Sequence, residues 1–362
     1  MSMANTRVEK DSLGQLELPA EVLYGINTSR SLDNFPLSGR SITTWPDFVY
    51  AFAIVKQAAA RANCEIADAF ARKSKEYKSL LRLGRTCLQD AQPMTLGQAF
   101  GGYEAVIRRH ADQLETIREQ FLTVPLGGTA IGTGFGSKSG YKAAVFRHLS
   151  SLFDARVQPA GHAFDGMQNM DNCARLSGEL RNTANTLWKI ANDLVVLSSG
   201  PTGGINEITL PSVQAGSSIM PGKVNPVIPI AVCQVAFAIT GNDTAIAMGC
   251  QQGLLEINHF ELLVCDRLLD SIRLLTGATG IFTRRCIDNI VANEEVSRKH
   301  LLASSALATA LVPTLGYARV STIVRAALTE KWPFLNVVIE KGLLTEDEIT
   351  SAIECSIQDN YV

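Results

Sequence analysis

Residues 96–121 read LGQAFGGYEAVIRRHADQLETIREQF. In this stretch Leu96, Phe100, Tyr103, Ile107, His110, Leu114, Ile117 and Phe121 step by four and three residues alternately. That spacing puts every apolar side chain on one seam of a long helix packed in a bundle. Thr95 stands just ahead of the seam, with Pro93 before it and Gln98 three residues on. This is the spacing of a capping box, in which the threonine and glutamine side chains each satisfy the other's backbone N–H.

Working outward, the stretch from Asp47 to about Leu83 reads as helical, rich in Ala, Lys and Arg and free of Pro and Gly. Residues 1–44 read as an irregular arm, punctuated by Gly14, Pro19, Gly25 and Pro36. Residues 125–140, PLGGTAIGTGFGSKSG, hold six glycines and predict a loop. A second long helix is expected from about Met167 to Leu197, then a Gly- and Pro-rich loop over 198–226. Helices follow near 227–249, 258–280, 293–311 and 317–330, with short ones near 333–342 and 345–355. Thr345 and Glu348 repeat the capping-box spacing at the start of the last. The class is all-α: a long-helix bundle with an irregular N-terminal arm and a small C-terminal helical domain. The boundaries are 1–65 for an N-terminal domain, 66–285 for the central bundle and 286–362 for the C-terminal domain.

Composition limits the function classes. Hydrophobic residues make up 46% of the 362 and aromatics only 7%, so the core is built from Ala, Leu, Ile and Val. Lys+Arg is 33 against Asp+Glu 35, which gives no electrostatic reason to expect nucleic acid or an anionic membrane as partner. The N-terminal MSMANTRVEKDSLG lacks the apolar core of a secretory signal, and no apolar run is expected to reach a membrane span. The eight cysteines have no C-x-x-C pair and most fall in apolar helical stretches, where Cys acts as a small buried hydrophobe. A soluble, cytoplasmic protein in a reducing compartment is the expectation.

The chemistry is concentrated in residues 215–226, AGSSIMPGKVNP. Ser217 and Ser218 sit between Gly216 and the Pro221–Gly222 turn, with Lys223 and Asn225 following. Glycines bring backbone N–H groups close to a ligand, and a lysine with an amide two residues on suits a carboxylate. By composition alone, a solvated loop is the commoner reading of such a stretch. GSSIMPGKVNP, however, resembles the signature of the aspartase/fumarase superfamily. The likeness extends through EKDSLG, LYGINTSR, GRTCLQDAQPMTLGQ at 84–98, LGGTAIGTG at 126–134, LSSGPTGGINEITLPSVQAGSSIMPGKVNPVIP at 197–229 and GNDTAIAM at 241–248. NEITLP before the signature and VIP after it favour the aspartase branch.

This resemblance implies a homotetramer with five long helices per subunit and active sites where three subunits meet. It implies reversible elimination across the Cα–Cβ bond of a small dicarboxylate, here ammonia from L-aspartate, giving fumarate. Ser217 would be the base, Lys223 and Asn225 would hold one carboxylate, Ser218 would donate to the other, and Thr86 would lie beside the substrate. No metal and no organic cofactor is implied.

The chain also departs from the family pattern. Between Ala62–Asn63 and Arg85–Thr86 a block is missing that in relatives carries a G-S-x-T-type and an S-[ST]-N-D segment, both binding the second carboxylate. The first bundle helix is therefore expected to keep only its later part, over 66–83. Position 87 is Cys where relatives have His or Gln, position 230 is Ile where they have Glu, and Ala99 stands for another Glu. Cys87 and Ile230 together remove a polar pair that orients a side chain near substrate. Cys87 reads as an inert thiol at a packed helix entry, and His110 and His259 as packed or surface histidines rather than ligands. Two alternatives to the aspartate lyase follow: a lyase for another substituted aspartate or succinate, and a catalytically silent homologue serving as an assembly or regulatory subunit.

Overall fold

A computed structural model describes residues 6–34, 51–153, 155–216, 219–330 and 332–358. The chain divides into one unit over Met1–Tyr50 and another over Ala51–Val362.

In the first unit, strands β1 (Thr6–Asp11) and β2 (Gly14–Pro19) form an antiparallel hairpin, followed by helix α1 (Ile26–Asn34). This replaces the irregular arm expected there. Exposure alternates along both strands, as a period of two demands. Gly14, at φ = 123°, closes the turn in a backbone region that side chains rarely adopt. Arg7 donates to the carbonyls of Ala20, Val22 and Tyr24, and Glu9 accepts the Ile26 N–H at the start of α1.

The second unit opens with α2 (Ala51–Glu76), one unbroken helix of 26 residues. It runs through the start of the interval in which the family pattern has its additional block. Ile66, Ala67 and Phe70 continue a single buried stripe. On that stripe Asn63 is fully buried, and among the described residues neither polar atom of its amide has a partner. The helix then ends, and β3 (Leu81–Thr86) and β4 (Gln89–Thr95) form an antiparallel hairpin where the helix was expected to run on to Leu83.

Next come α3 (Leu96–Gln120), with its Thr95–Gln98 capping box in place, and β5 (Thr123–Val124). The glycine-rich loop leads to α4 (Tyr141–Phe153), β6 (Gln158–Pro159), α5 (Ala163–Gln168) and the long α6 (Asp171–Leu197). β5 and β6 pair in parallel. β7 (Ile208–Thr209) precedes α7 (Val227–Cys250) and α8 (Glu261–Arg285).

Helices α2, α3, α6, α7 and α8 are the five long members of the bundle, each about 36–40 Å at 1.5 Å per residue. Phe70, Phe100 and Tyr103 stack at centroid distances of 5.4–6.1 Å, joining α2 to α3. His110 packs as expected between α3 and α6, its Nδ1 2.6 Å from Glu179 and its Nε2 2.9 Å from Thr186.

By length and composition α7 passes the test for a membrane span, contrary to the expectation that no apolar run would. Its place in the bundle accounts for the composition. Asn242 and Asp243 are buried on it, with Asp243 accepting from Ser177 at 2.5 Å and Arg181 at 2.6 Å, both on α6. Such a polar network is a core feature, costly to leave unpaired.

The chain finishes with β8 (Val291–Ala292), α9 (Glu294–Ala303), a 3-10 stretch Ser305–Leu311, α10 (Val312–Leu315), α11 (Tyr317–Glu330), α12 (Phe334–Glu340) and α13 (Glu346–Gln358). These elements close a second hydrophobic core, with Leu301, Leu307, Leu311, Phe334 and Val338 at its centre and Leu83 of β3 packed into it. Of the eight cysteines only Cys233 and Cys286 are buried in this chain, against the expectation that most would be. Cys64, Cys87 and Cys355 are exposed.

Candidate active site

The β3–β4 hairpin carries two of the expected site residues. Its register runs Leu81↔Thr95 to Thr86↔Gln89, with an irregularity at Gly84. A Cβ at Gly84 would lie 2.6 Å from the Gln92 carbonyl oxygen, so only glycine lets the two strands approach there. Thr86 ends the first strand, and the loop is Cys87–Leu88, at φ = 51° and 60°. Two-residue hairpin loops favour such left-handed pairs because they match strand twist, and normally fill them with Asn and Gly. Thr86, Cys87 and Leu88 are all exposed, so Cys87 is a hairpin-tip thiol and not a thiol packed at a helix entry.

The base of the hairpin is held by charge. Glu207, with no solvent exposure, takes Arg82 Nε on one oxygen at 2.8 Å and Arg85 Nη2 on the other at 2.7 Å. His300 Nδ1 of α9 stands 3.1 Å from the second oxygen. Burial pushes the Glu207 pKa up. The Arg85 hydrogen bond, the Arg82 charge and the His300 contact overcome it and hold the carboxyl below its ordinary 4.5. The sequence quotes both Arg85 and Glu207 inside family-like segments, yet these four residues were not read as a group.

The signature loop is closed by its own backbone. Gly216 N–H donates to the Lys223 carbonyl at 3.0 Å, and Asn225 Nδ2 donates to the Gly216 carbonyl at 2.7 Å. A Cβ on Gly216 would sit 2.2 Å from the Lys223 oxygen, which makes this glycine obligatory. The Met220–Lys223 turn, with Pro221 and Gly222 (φ = 83°) at its centre, reverses the chain. Lys223 is exposed, and among the described residues its ammonium has no ion pair. Ser217 and Ser218, the expected base and donor, lie outside the described residues. Ile230 is 42% exposed on the first turn of α7.

Among the described residues no hydrogen bond joins Thr86 or Cys87 to Lys223 or Asn225; the structure links the hairpin to the signature segment through Glu207 instead. No group of three or more His, Cys, Asp or Glu is placed to hold a metal among the described residues.

The family model described as Lyase matches residues 63–241, and that of the fumarase C C-terminus matches 307–356. Aspartate ammonia-lyase of Pseudomonas canavaninivorans is 36% identical over 450 aligned positions, covering 95% of each chain. The enzyme of that name from Escherichia coli K12 is 30% identical, covering 95% of this chain and 94% of its own length. The alignment spans 450 positions against the 362 residues of this chain, so many of its positions carry no residue from this chain. In solved structures, a fumarate lyase:delta crystallin from Brucella melitensis bound to cobalt superposes with TM-score 0.88 at 32% identity, covering 97% of this chain and 98% of that one. A class II fumarase from Schistosoma mansoni superposes at 0.87 with 25% identity, covering 98% and 100%. With this identity along nearly its whole length and the same helical bundle, the chain belongs to the aspartase/fumarase superfamily of lyases.

Proposed function

We propose that this protein is a carbon–nitrogen lyase of the aspartate ammonia-lyase type, with turnover on aspartate weakened by the lost block. The observation that carries this reading is the signature loop. Its backbone closure leaves Lys223 exposed and, among the described residues, without an ion pair, in the same sequence motif as Ser217 and Ser218. A carboxylate docked on Lys223 and Asn225 would orient the substrate for Ser217 to take a Cβ proton. The resulting carbanion is delocalised into the adjacent carboxylate, and its electron pair then forms the double bond as ammonia leaves Cα. A serine hydroxyl is a poor base in water, so the step requires cationic charge, backbone donors and exclusion of solvent. Ser218 donates to the second carboxylate, Thr86 lies beside the substrate, and no cofactor enters.

Asn225 donates its amide to Gly216 in this conformation, so binding a carboxylate requires the loop to rearrange. The site is completed by other copies of the chain. Ile230, Phe237 and Met248 expose apolar surface along α7, in keeping with a homotetramer that buries this face. In this reading the chemistry belongs to the central bundle of residues 66–285, the small domain of 286–362 supports it, and the protein works in the cytoplasm.

A second reading, a silent scaffold subunit, is favoured by α2. The chain keeps a continuous 26-residue helix for bundle packing, while the family resemblance implies that several donors to the second carboxylate are lost with the block. Purified protein with L-aspartate, followed at the fumarate absorbance band, separates the two. Turnover that Ser217→Ala abolishes supports the lyase, and no turnover on aspartate or any substituted aspartate supports the scaffold.

A further inference from the structure

Glu207 is a buried charge with no place in the elimination chemistry. Its backbone is fixed on both sides: its N–H donates to the Leu197 carbonyl at 2.9 Å, and its carbonyl accepts from Asn293 N–H at 2.8 Å. Strand β7, which follows it directly, pairs with β8 and leads into the signature loop. Its carboxylate holds both arginines of β3, Arg82 and Arg85. From the other strand, Asp90, the register partner of Arg85, accepts from Ser304 Oγ at 2.6 Å. The hairpin is therefore gripped at its base from two sides.

The tip needs that grip. Cys87 and Leu88 both sit at positive φ, although neither is glycine, asparagine or aspartate. Conformations of this kind persist only where the surroundings over-determine them. Leu88 is 66% exposed and Cys87 is exposed, so packing at the tip does not supply the restraint. Strand pairing favours a left-handed turn, and that pairing is anchored at the base, where the strongest interactions are those of Glu207 with the arginine next to Thr86.

We infer that Glu207 is a positioning residue. By holding Arg82 and Arg85 it keeps the hairpin tip in its left-handed turn and sets Thr86 against the substrate, relative to the strand that carries the signature loop. The role of Thr86 rests on the lyase reading above; the grip on the tip does not.

Hydrogen exchange resolved by mass spectrometry on the full chain tests it, with Glu207→Gln keeping the shape and removing the charge. Exchange over residues 86–89 rises about tenfold or more, the equivalent of one charge-assisted hydrogen bond. Peptides from α3 and α8 keep their protection. If Glu207→Gln fails to fold, His300→Asn, which removes the partner at the rim, gives a smaller rise confined to the same residues. An unchanged tip, or a rise shared equally by α3 and α8, overturns the inference. Kinetics give the second arm: where the parent turns over aspartate, Glu207→Gln raises KM by more than it lowers kcat. A fall in kcat with KM unchanged overturns the positioning role. A parent without turnover refutes the lyase reading alone, and the exchange result still decides the grip.

Discussion

The continuity of α2 is most directly tested by a proline at position 65. Glu65 is an exposed residue in a helix that runs from Ala51 to Glu76, just after Asn63 and just before the buried Ile66, Ala67 and Phe70. Because its side chain is exposed, replacing it removes little packing, and the cost comes from the backbone. Proline lacks the N–H that bonds the carbonyl four residues earlier, and its ring clashes with that carbonyl; in a helix interior this costs about 3 kcal/mol. That is roughly a hundredfold change in the folding equilibrium. Glu65→Ala serves as the reference, since it keeps the N–H and is a better helix former. Urea unfolding followed by circular dichroism should place the Glu65→Pro midpoint well below that of Glu65→Ala. If α2 were two helices with a break at the missing block, proline there would be tolerated. Coincident midpoints for the two variants would therefore refute the single helix.

Further outcomes follow from other positions. Asn63→Leu should stabilise the chain by about 1–3 kcal/mol in the same assay, because it removes two buried polar atoms that lack partners among the described residues; a loss of stability would mean that the amide has a partner in solution. Glu207 has a folded pKa below its ordinary 4.5, so its stabilising contribution is complete above that value and lost as pH falls through the lower folded one. Hairpin protection over residues 81–95 should therefore hold from neutral pH down to about 4.5 and fall in more acid solution, and a loss on raising pH instead would contradict the sign. If turnover is present, Lys223→Ala should raise KM and lower kcat together, since the cation pairs with substrate and transition state alike.

Much of the bundle was legible because its signals are local. The 96–121 seam and the Thr95–Gln98 box lie within a few helical turns, and both are present. The β3–β4 hairpin was not legible: Leu81–Leu83 read as the end of a helix, and the partner that holds Arg82 and Arg85 is Glu207, more than a hundred residues away. The six-residue strands of the N-terminal hairpin were too short for their alternation to stand out among the turn signals. For the first bundle helix, the Ala-, Lys- and Arg-rich stretch free of Pro and Gly was legible as helical, and α2 occupies Ala51–Glu76 of it. In the site, Lys223, Asn225 and Gly216 were legible as one loop motif, but the bonds that close it, Asn225 to the Gly216 carbonyl and Gly216 N–H to the Lys223 carbonyl, were not. Cys87 changes from a packed thiol to an exposed one because the turn around it could not be read from sequence.

The central claim is that a signature-loop lyase operates here with part of its carboxylate binding gone. On the proposed reading, the lost donors to the second carboxylate would be charge-assisted hydrogen bonds of about 1.5–3 kcal/mol each. Losing several of them lowers kcat/KM by several orders of magnitude. The deciding measurement is kcat/KM for L-aspartate on purified protein, with Ser217→Ala alongside. The account predicts a value well below the usual range of about 10⁴–10⁸ M⁻¹s⁻¹, and its loss in Ser217→Ala by at least about 10²–10⁴-fold. A parent value within that range, or turnover unchanged in Ser217→Ala, would contradict it.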